Sequence, residues 1–226
     1  LDELAAQKIS PKQAAQYVKS GWLIRLGQGV YAYPSDTLDA PACILPLQKK
    51  SPGLHVGGKS ALDLHGVRHN LAFRQNWILW GVSRFLLPEW FTSRFRARFV
   101  HTRLFDWKPS SLNDETISTP VGALKNLKVS VPERAVIELL SEVGVHQDLE
   151  EARNLFDGLR NLRTEVLGCL LACCTSVKAV RLFLTWARET AVVDVDQLLK
   201  EHKIKTGSKS RWITRLKDGT LLTLKH

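Results

Sequence analysis

The stretch Ser20–Pro34, SGWLIRLGQGVYAYP, decides how the first part of the chain is read. Two β-prone runs, WLIRL and VYAY, flank Gly27-Gln28-Gly29, a combination suited to a hairpin. Just before it, Ser10-Pro11 is a helix start, a serine cap followed by proline at the first helical position. That helix runs through KQAAQYVKS and stops at Gly21. At about 3.6 residues per turn, Ala14, Ala15 and Val18 lie towards one side, while Lys12, Gln13, Gln16 and Lys19 gather on the other. A short helical piece, LDELAAQ, stands ahead of it. Helix, tight turn, polar-faced helix and hairpin is the order of a winged helix-turn-helix. The competing reading is a plain hairpin closing a small helical core.

Charge favours the first reading. The net charge is +10, and the excess is concentrated early. Residues 1–100 hold 13 basic and 6 acidic side chains, against 19 and 16 in residues 101–226. A basic N-terminal part suits a polyanionic partner. With 226 residues, 44% hydrophobic and 24% charged, the chain is globular and long enough for one large or two small domains. Its longest apolar runs, such as VLGCLLACC, fall short of the roughly 20 residues of a membrane span. No charged-then-apolar secretion signal opens it, and Leu1 is not expected to be the native start. A cytoplasmic protein with no membrane partner is expected. The cysteines, Cys43, Cys169, Cys173 and Cys174, form no C-x-x-C pair. They are expected to be buried free thiols, because a thiolate metal site would need outside ligands that the sequence does not place nearby.

Further along, Asp39–Lys50 is a candidate helix capped by Asp39, with Pro41 and Pro46 expected to shorten or break it. LHVGGKSALDLHGV is a short strand and then a helix from about Lys59 that Gly66 ends. Within it, Gly53–Ser60 spells the phosphate-loop pattern G-x-x-x-x-G-K-[ST]. The context argues against nucleotide binding, since LQKKSP precedes it instead of an apolar strand, and Leu54 and Val56 look like strand residues. NWILWGV and RFRARFVHTRLF are strand-like. In the latter, Arg94, Arg96 and Arg98 alternate with Phe95, Ala97 and Phe99, which reads as a solvated sheet face in preference to a phosphate-facing stripe. From Pro132 four helices follow, PERAVIELLSEVG, QDLEEARNLFDGL, TEVLGCLLACC and SVKAVRLFLTWARET, whose apolar faces call for a bundle. Glu133, Glu138 and Glu142 read as solvated surface. Asp218-Gly219 marks a last hairpin between WITRL and TLLTL.

The fold class expected is α+β. An N-terminal domain, residues 1–93, contains the winged helix-turn-helix in residues 1–34. A C-terminal domain, residues 94–226, holds a helical bundle with short strands. Catalytic signals are weak. His65 and His69 have the spacing of metal ligands on a helix, but Gly66 interrupts it and no acidic third ligand is near. No G-x-S-x-G elbow occurs. Neither catalytic residues, metal nor cofactor are expected.

Four blocks occur in order along the chain: YVKSGWLIRLGQGVYAYP, HVGGKSALDLHGV, VPERAVIELLSEV and SVKAVRLFLTWA. Together they span nearly all of it, and the sequence resembles the AbiEi antitoxin family, transcriptional regulators of type IV toxin–antitoxin systems. The resemblance implies a non-enzymatic, two-domain protein that binds double-stranded operator DNA and represses its own operon. It also implies a nucleotidyltransferase-like toxin as functional partner, opposed without a stable complex being required. The departure is at the start, where the first helix expected of such a module is missing. Carried over residue by residue, Pro11–Ser20 is the recognition helix, with Gln13 and Gln16 facing base edges. Lys12, Lys19 and Arg25 contact phosphates, and Gln28 sits at the wing tip. Lys203, Lys205, Lys209, Arg211 and Arg215 form a second basic patch, for nucleic acid or the target of the toxin. Two other readings stand beside this one: a nucleic-acid-processing enzyme targeted by its winged helix, and a protein–protein adaptor.

Overall fold

The computed structural model describes residues 9–68, 75–106, 115–208, 212–215, 219 and 221–224. The first described helix, α1 (Pro11–Lys19), has the start that its sequence predicts. Ser10 Oγ accepts from the Gln13 amide at 3.2 Å, and Gln13 Oε1 accepts from the Ser10 amide at 2.8 Å, a reciprocal capping box. The piece read as helical at Leu1–Gln7 lies outside the described residues. Strands β1 (Ile24–Gly27) and β2 (Val30–Ala32) then pair antiparallel, with Arg25 opposite Tyr31 and a bulge before Gly27. Gly29 takes φ +70° at the turn, where a side chain would be strained.

Helix α2 (Ala40–Lys50) is capped by Asp39, whose Oδ1 accepts from the Ala42 amide at 2.8 Å. Pro46 neither breaks nor shortens it, contrary to expectation. Cys43, Ile44 and Leu47 bury one face of this helix, and that burial, about 1.5–3 kcal/mol for each large side chain, offsets the missing amide.

The centre is a five-stranded mixed sheet in the order β5-β4-β3-β7-β6. Its members are β3 (His55–Val56), β4 (Trp77–Gly81), β5 (Ala97–His101), β6 (Ile117–Ser118) and β7 (Val129–Ser130). β3 lies antiparallel to β4 and parallel to β7. β4 runs parallel to β5, and β6 antiparallel to β7. Strands on both sides of residue 93 thus share one sheet. β4 is buried throughout, as its unbroken apolar run requires. The alternation of Arg94, Arg96 and Arg98 does not extend along one strand, because β5 begins only at Ala97. Arg94 instead follows the short helix α4 (Glu89–Thr92) and donates to the Trp90 carbonyl at 2.8 Å, while Arg98 pairs with Glu142.

Helix α3 (Gly58–Leu64) follows β3 and packs on α5 (Pro132–Glu142). Helices α6 (Leu149–Asp157), α7 (Thr164–Cys173), α8 (Val177–Thr190) and α9 (Val195–Glu201) complete the bundle. The last of these went unread in the sequence. Phe156 anchors the bundle core edge-on to Phe183 and Trp186, at 5.4 and 5.5 Å between ring centroids. At the end, β8 (Trp212–Arg215) and β9 (Leu221–Leu224) pair antiparallel around Gly219, the hairpin expected there.

The reading of Glu133, Glu138 and Glu142 as solvated surface is wrong. Helix α5 sits between the sheet and the other helices, and Glu133 and Glu138 are only 2% and 1% exposed. Glu133 is held by Arg163, whose Nε and backbone amide donate to Oε1 at 3.0 and 2.8 Å. Glu138 is held at 2.8–3.0 Å by His55 Nε2, Arg134 Nε, Ser130 Oγ and the Gly58 amide. Buried charges persist when they are paired and hydrogen-bonded in this way. Desolvation pushes the Glu138 pKa up, but the charges of His55 and Arg134 and the hydrogen bonds from both outweigh it and bring it down to about 2.

This network also disposes of the phosphate-loop spelling. Helix α3 presents its first amide, Gly58 N–H, to the Glu138 carboxylate, which occupies the place an anion would take. Lys59 pairs with Glu151. Gly57 leaves no room for a side chain, since a Cβ there would overlap both Glu138 and the Trp80 ring.

Candidate nucleic-acid interface

Helix α1 turns directly into the hairpin, because the amides of Trp22 and Leu23 both donate to the Tyr17 carbonyl, at 2.9 and 3.2 Å. This short connection holds the helix and the two-stranded wing as neighbours. Only Ala14 of α1 is buried. Lys12, Gln13, Gln16 and Lys19 are all exposed on the helix, and Arg25 and Gln28 are exposed on the wing, with Gln28 at the turn. All six side chains assigned to DNA contact are thereby displayed on one helix and the hairpin that follows it.

The hairpin is buried on part of its surface and open on the rest. Leu23 and Ala32 are buried, yet Trp22 is 71% exposed and Ile24 and Tyr33 face solvent. Near its turn the wing is braced from one side, where Gly27 lies directly against the Trp90 ring of α4. The electrostatics are one-sided as well. Residues 9–34 contain no aspartate or glutamate and include Lys12, Lys19 and Arg25. A phosphate approaching this face meets no fixed negative side chain from α1 or the wing.

The two glutamines differ. Gln13 Oε1 already accepts from the Ser10 amide in the capping box. Bidentate pairing with an adenine needs both the oxygen and the nitrogen of the amide, so Gln13 would have to give up its cap to read a base. Gln16 carries no such obligation among the described hydrogen bonds and is the better placed of the two.

The second basic patch is described only in part. Lys203 and Lys205 are exposed in the segment after α9. Arg181 of α8 fastens that segment by donating to the carbonyls of Thr206, at 2.7 Å, and of Ser208. Lys209 and Arg211 lie outside the described residues, as does the side chain of Arg215. His69 is also outside them, and His65 is engaged in the fold, with Nε2 3.0 Å from the Ser130 carbonyl and its pKa lowered by burial.

The cluster of His55, Arg134 and Glu138 was missed in the sequence. The signal available was a pair of charged residues, Arg134 and Glu138, spaced four apart on a helix otherwise rich in apolar side chains. Among the described residues, no helix is long and apolar enough to cross a membrane.

No curated protein matches the sequence significantly. Among solved structures, the crystal structure of the RV2827C protein from Mycobacterium tuberculosis is similar, with a TM-score of 0.59 at 15% identity, covering 91% of this chain and 77% of that one. That likeness concerns the fold alone. Two family models match consecutive parts of the chain. Residues 1–73 match the N-terminal domain of the AbiEi antitoxin transcriptional regulators, and residues 74–225 match the transcriptional regulator, AbiEi antitoxin, of the type IV toxin–antitoxin system. With the polar helix, the wing and the α+β body in place, the chain belongs to the AbiEi family of antitoxin transcriptional regulators.

Proposed function

We propose that the protein binds double-stranded DNA upstream of its own gene through α1 and the β1–β2 wing, and so represses the operon that encodes it and a toxin. The observation that carries this reading is the acid-free display of Lys12, Gln16, Lys19, Arg25 and Gln28 on a helix and the adjoining exposed hairpin. Gln16 reads a base edge, and Lys12, Lys19 and Arg25 neutralise phosphates. The antitoxin role belongs to the larger C-terminal part, with Lys203 and Lys205 in its basic patch, and is exerted in the cytoplasm without catalysis. The opposed toxin is of nucleotidyltransferase-like type, and no stable complex with it is required.

Fluorescence anisotropy with a duplex from the upstream region, and a random duplex as control, tests this across a range of salt. The expected result is a preference for the upstream duplex of at least about a thousandfold. Three phosphate contacts give a log–log salt slope near −3 for each bound chain, from roughly 0.9 per contact. Equal affinity for both duplexes would leave net charge as the sole cause of binding and would remove the assignment of Gln16.

A further inference from the structure

Sequence spacing gave the cysteines no partner ligands, but the fold supplies them. Glu165 and Cys169 stand one turn apart on α7. His202, the residue that ends α9, is brought against the same face. The ligand atoms of Glu165, Cys169 and His202 all lie within 4.8 Å of one another. His202 Nε2 is 3.5 Å from Glu165 Oε2, and Cys169 Sγ is 3.7 Å from Glu165 Oε1. Bonds of about 2.0–2.3 Å from a tetrahedral zinc ion to N, O and S ligands put neighbouring ligand atoms roughly 3.3–3.8 Å apart. Each separation is of that size, one measured to Oε2 and the other to Oε1 of Glu165, so the carboxylate stands at ligand-to-ligand distance from both the imidazole and the thiol.

Two further features show that the site is built and is not a chance meeting of side chains. The His202 side chain is only 10% exposed, and its Nε2 is fully buried with no hydrogen-bond partner. A buried ring nitrogen with no hydrogen bond, and with only the Glu165 carboxylate 3.5 Å away, lacks the hydrogen-bond partner that such groups ordinarily have. The second feature is Gly168. A Cβ at that position would overlap the His202 ring, so the absent side chain is what lets the imidazole lie flat on α7 beside Cys169.

We propose that Glu165, Cys169 and His202 bind one Zn2+ ion, with a water in the fourth position on the side where Glu165 opens to solvent. Thiolate and imidazole together select a borderline-soft ion such as Zn2+ over Mg2+ or Ca2+. Without metal, the Cys169 thiol donates to Glu165 Oε1 at 3.7 Å. Binding of the ion displaces this proton to solvent, since a metal-bound thiol is a thiolate. The Glu165 carboxylate beside the thiol and the imidazole supplies a negative charge that attracts the cation. The ion joins α7 to the start of the segment that carries Lys203 and Lys205, and so fixes where the second basic patch begins.

The test uses the full chain, reduced and stripped of metal, titrated with Zn2+ by calorimetry and with Co2+ by absorption spectroscopy. One ion per chain is expected, and the Co2+ form shows a thiolate-to-metal charge-transfer band and the intense ligand-field bands of four-coordination. Cys169→Ser abolishes the charge-transfer band, and both it and His202→Gln weaken Zn2+ binding more than about a hundredfold, beyond the 10–100-fold typical of changes around the ligands. Gly168→Ala, which displaces the His202 ring without removing a ligand, falls within that 10–100-fold range. Cys43→Ser and Cys173→Ser leave affinity unchanged. Should His202→Gln not fold, Glu165→Gln, at a side chain 79% exposed, carries the test through its own loss of affinity. Absence of stoichiometric binding, a Co2+ spectrum unaltered by Cys169→Ser, or loss of binding in Cys173→Ser in place of Cys169→Ser would overturn the proposal.

Discussion

Replacing Glu138 by glutamine removes one negative charge from the centre of the molecule and leaves its shape in place. The consequence can be worked out in two ways. Folding takes the carboxyl from an ordinary pKa of 4.5 to about 2. At about 1.4 kcal/mol per pH unit, that difference corresponds to roughly 3 kcal/mol of stability at neutral pH. Independently, removing one partner of a buried ion pair costs about 3–5 kcal/mol, because the remaining charge is left uncompensated. Here the remaining groups are His55 and Arg134, both nearly buried, at 3.0 and 2.8 Å from Glu138. Both routes give a loss near 3 kcal/mol for Glu138→Gln in urea unfolding at pH 7, read as a lower midpoint with an unchanged slope. Because the pKa is depressed in the folded state, the contribution is fully present above pH 4.5 and is lost as pH falls through about 2. The gap between wild type and Glu138→Gln therefore narrows as pH is lowered from 4.5 towards 2. In the double variant Glu138→Gln, Arg134→Met, the buried cation next to Glu138 is gone and part of the loss is recovered. A cost below about 1 kcal/mol at pH 7, or a gap as wide at pH 2.5 as at pH 7, would refute the view that this network is a compensated buried charge cluster.

The remaining predictions concern close packing and the DNA face. Gly57→Ala forces a methyl group into Glu138 and the Trp80 ring, and thermal or urea unfolding should register a loss of about 1–3 kcal/mol or more. Gln16→Ala lowers affinity for the upstream duplex by about 1–3 kcal/mol and leaves random-duplex binding unchanged, whereas Lys19→Ala weakens both and reduces the salt slope by about 1; anisotropy titrations at several salt concentrations separate the two. Ser10→Ala removes the cap of α1 and costs about 1 kcal/mol of stability, measured by unfolding. Gln13→Ala disrupts the same capping box, so its DNA preference is retained where that of Gln16→Ala is lost; a loss of preference equal to that of Gln16→Ala would show that Gln13 leaves its cap to read a base.

The parts legible in the sequence were those whose cause is local. Ser10-Pro11 fixes a helix start by capping chemistry within three residues, and Gly27-Gln28-Gly29 fixes a turn by backbone freedom, so α1 and the wing were read where they stand. What escaped was set at a distance. Glu138 looked like solvent-facing charge because its partners His55 and Gly58 lie about eighty residues earlier in the chain. Cys169 looked like an inert thiol because His202 reaches it only after two further helices. Pro46 looked like a break because local rules cannot weigh the burial of Ile44 and Leu47 against one missing amide.

The same distinction separates family from function. Two of the four blocks that carried the resemblance, HVGGKSALDLHGV and VPERAVIELLSEV, meet at one carboxylate, where Glu138 of the second bonds His55 and Gly58 of the first. Gly57 is glycine because Trp80 and Glu138 fill the space beside it. Ser130, just ahead of the second block, donates to Glu138, and Arg134 within it pairs with the same group. Residues in such an arrangement are dictated by packing, and changing any one of them leaves a buried group without its partner. Gln16, Lys19 and Gln28 stand on exposed surface, where burial imposes nothing on their identity. A sequence can therefore declare its family through the interior that holds the sheet to α3 and α5, while under the proposed function the choice of operator would rest on a few exposed side chains that the interior does not determine. Substitution of Gln16 should change which DNA is bound without changing stability, and substitutions around Glu138 should do the reverse.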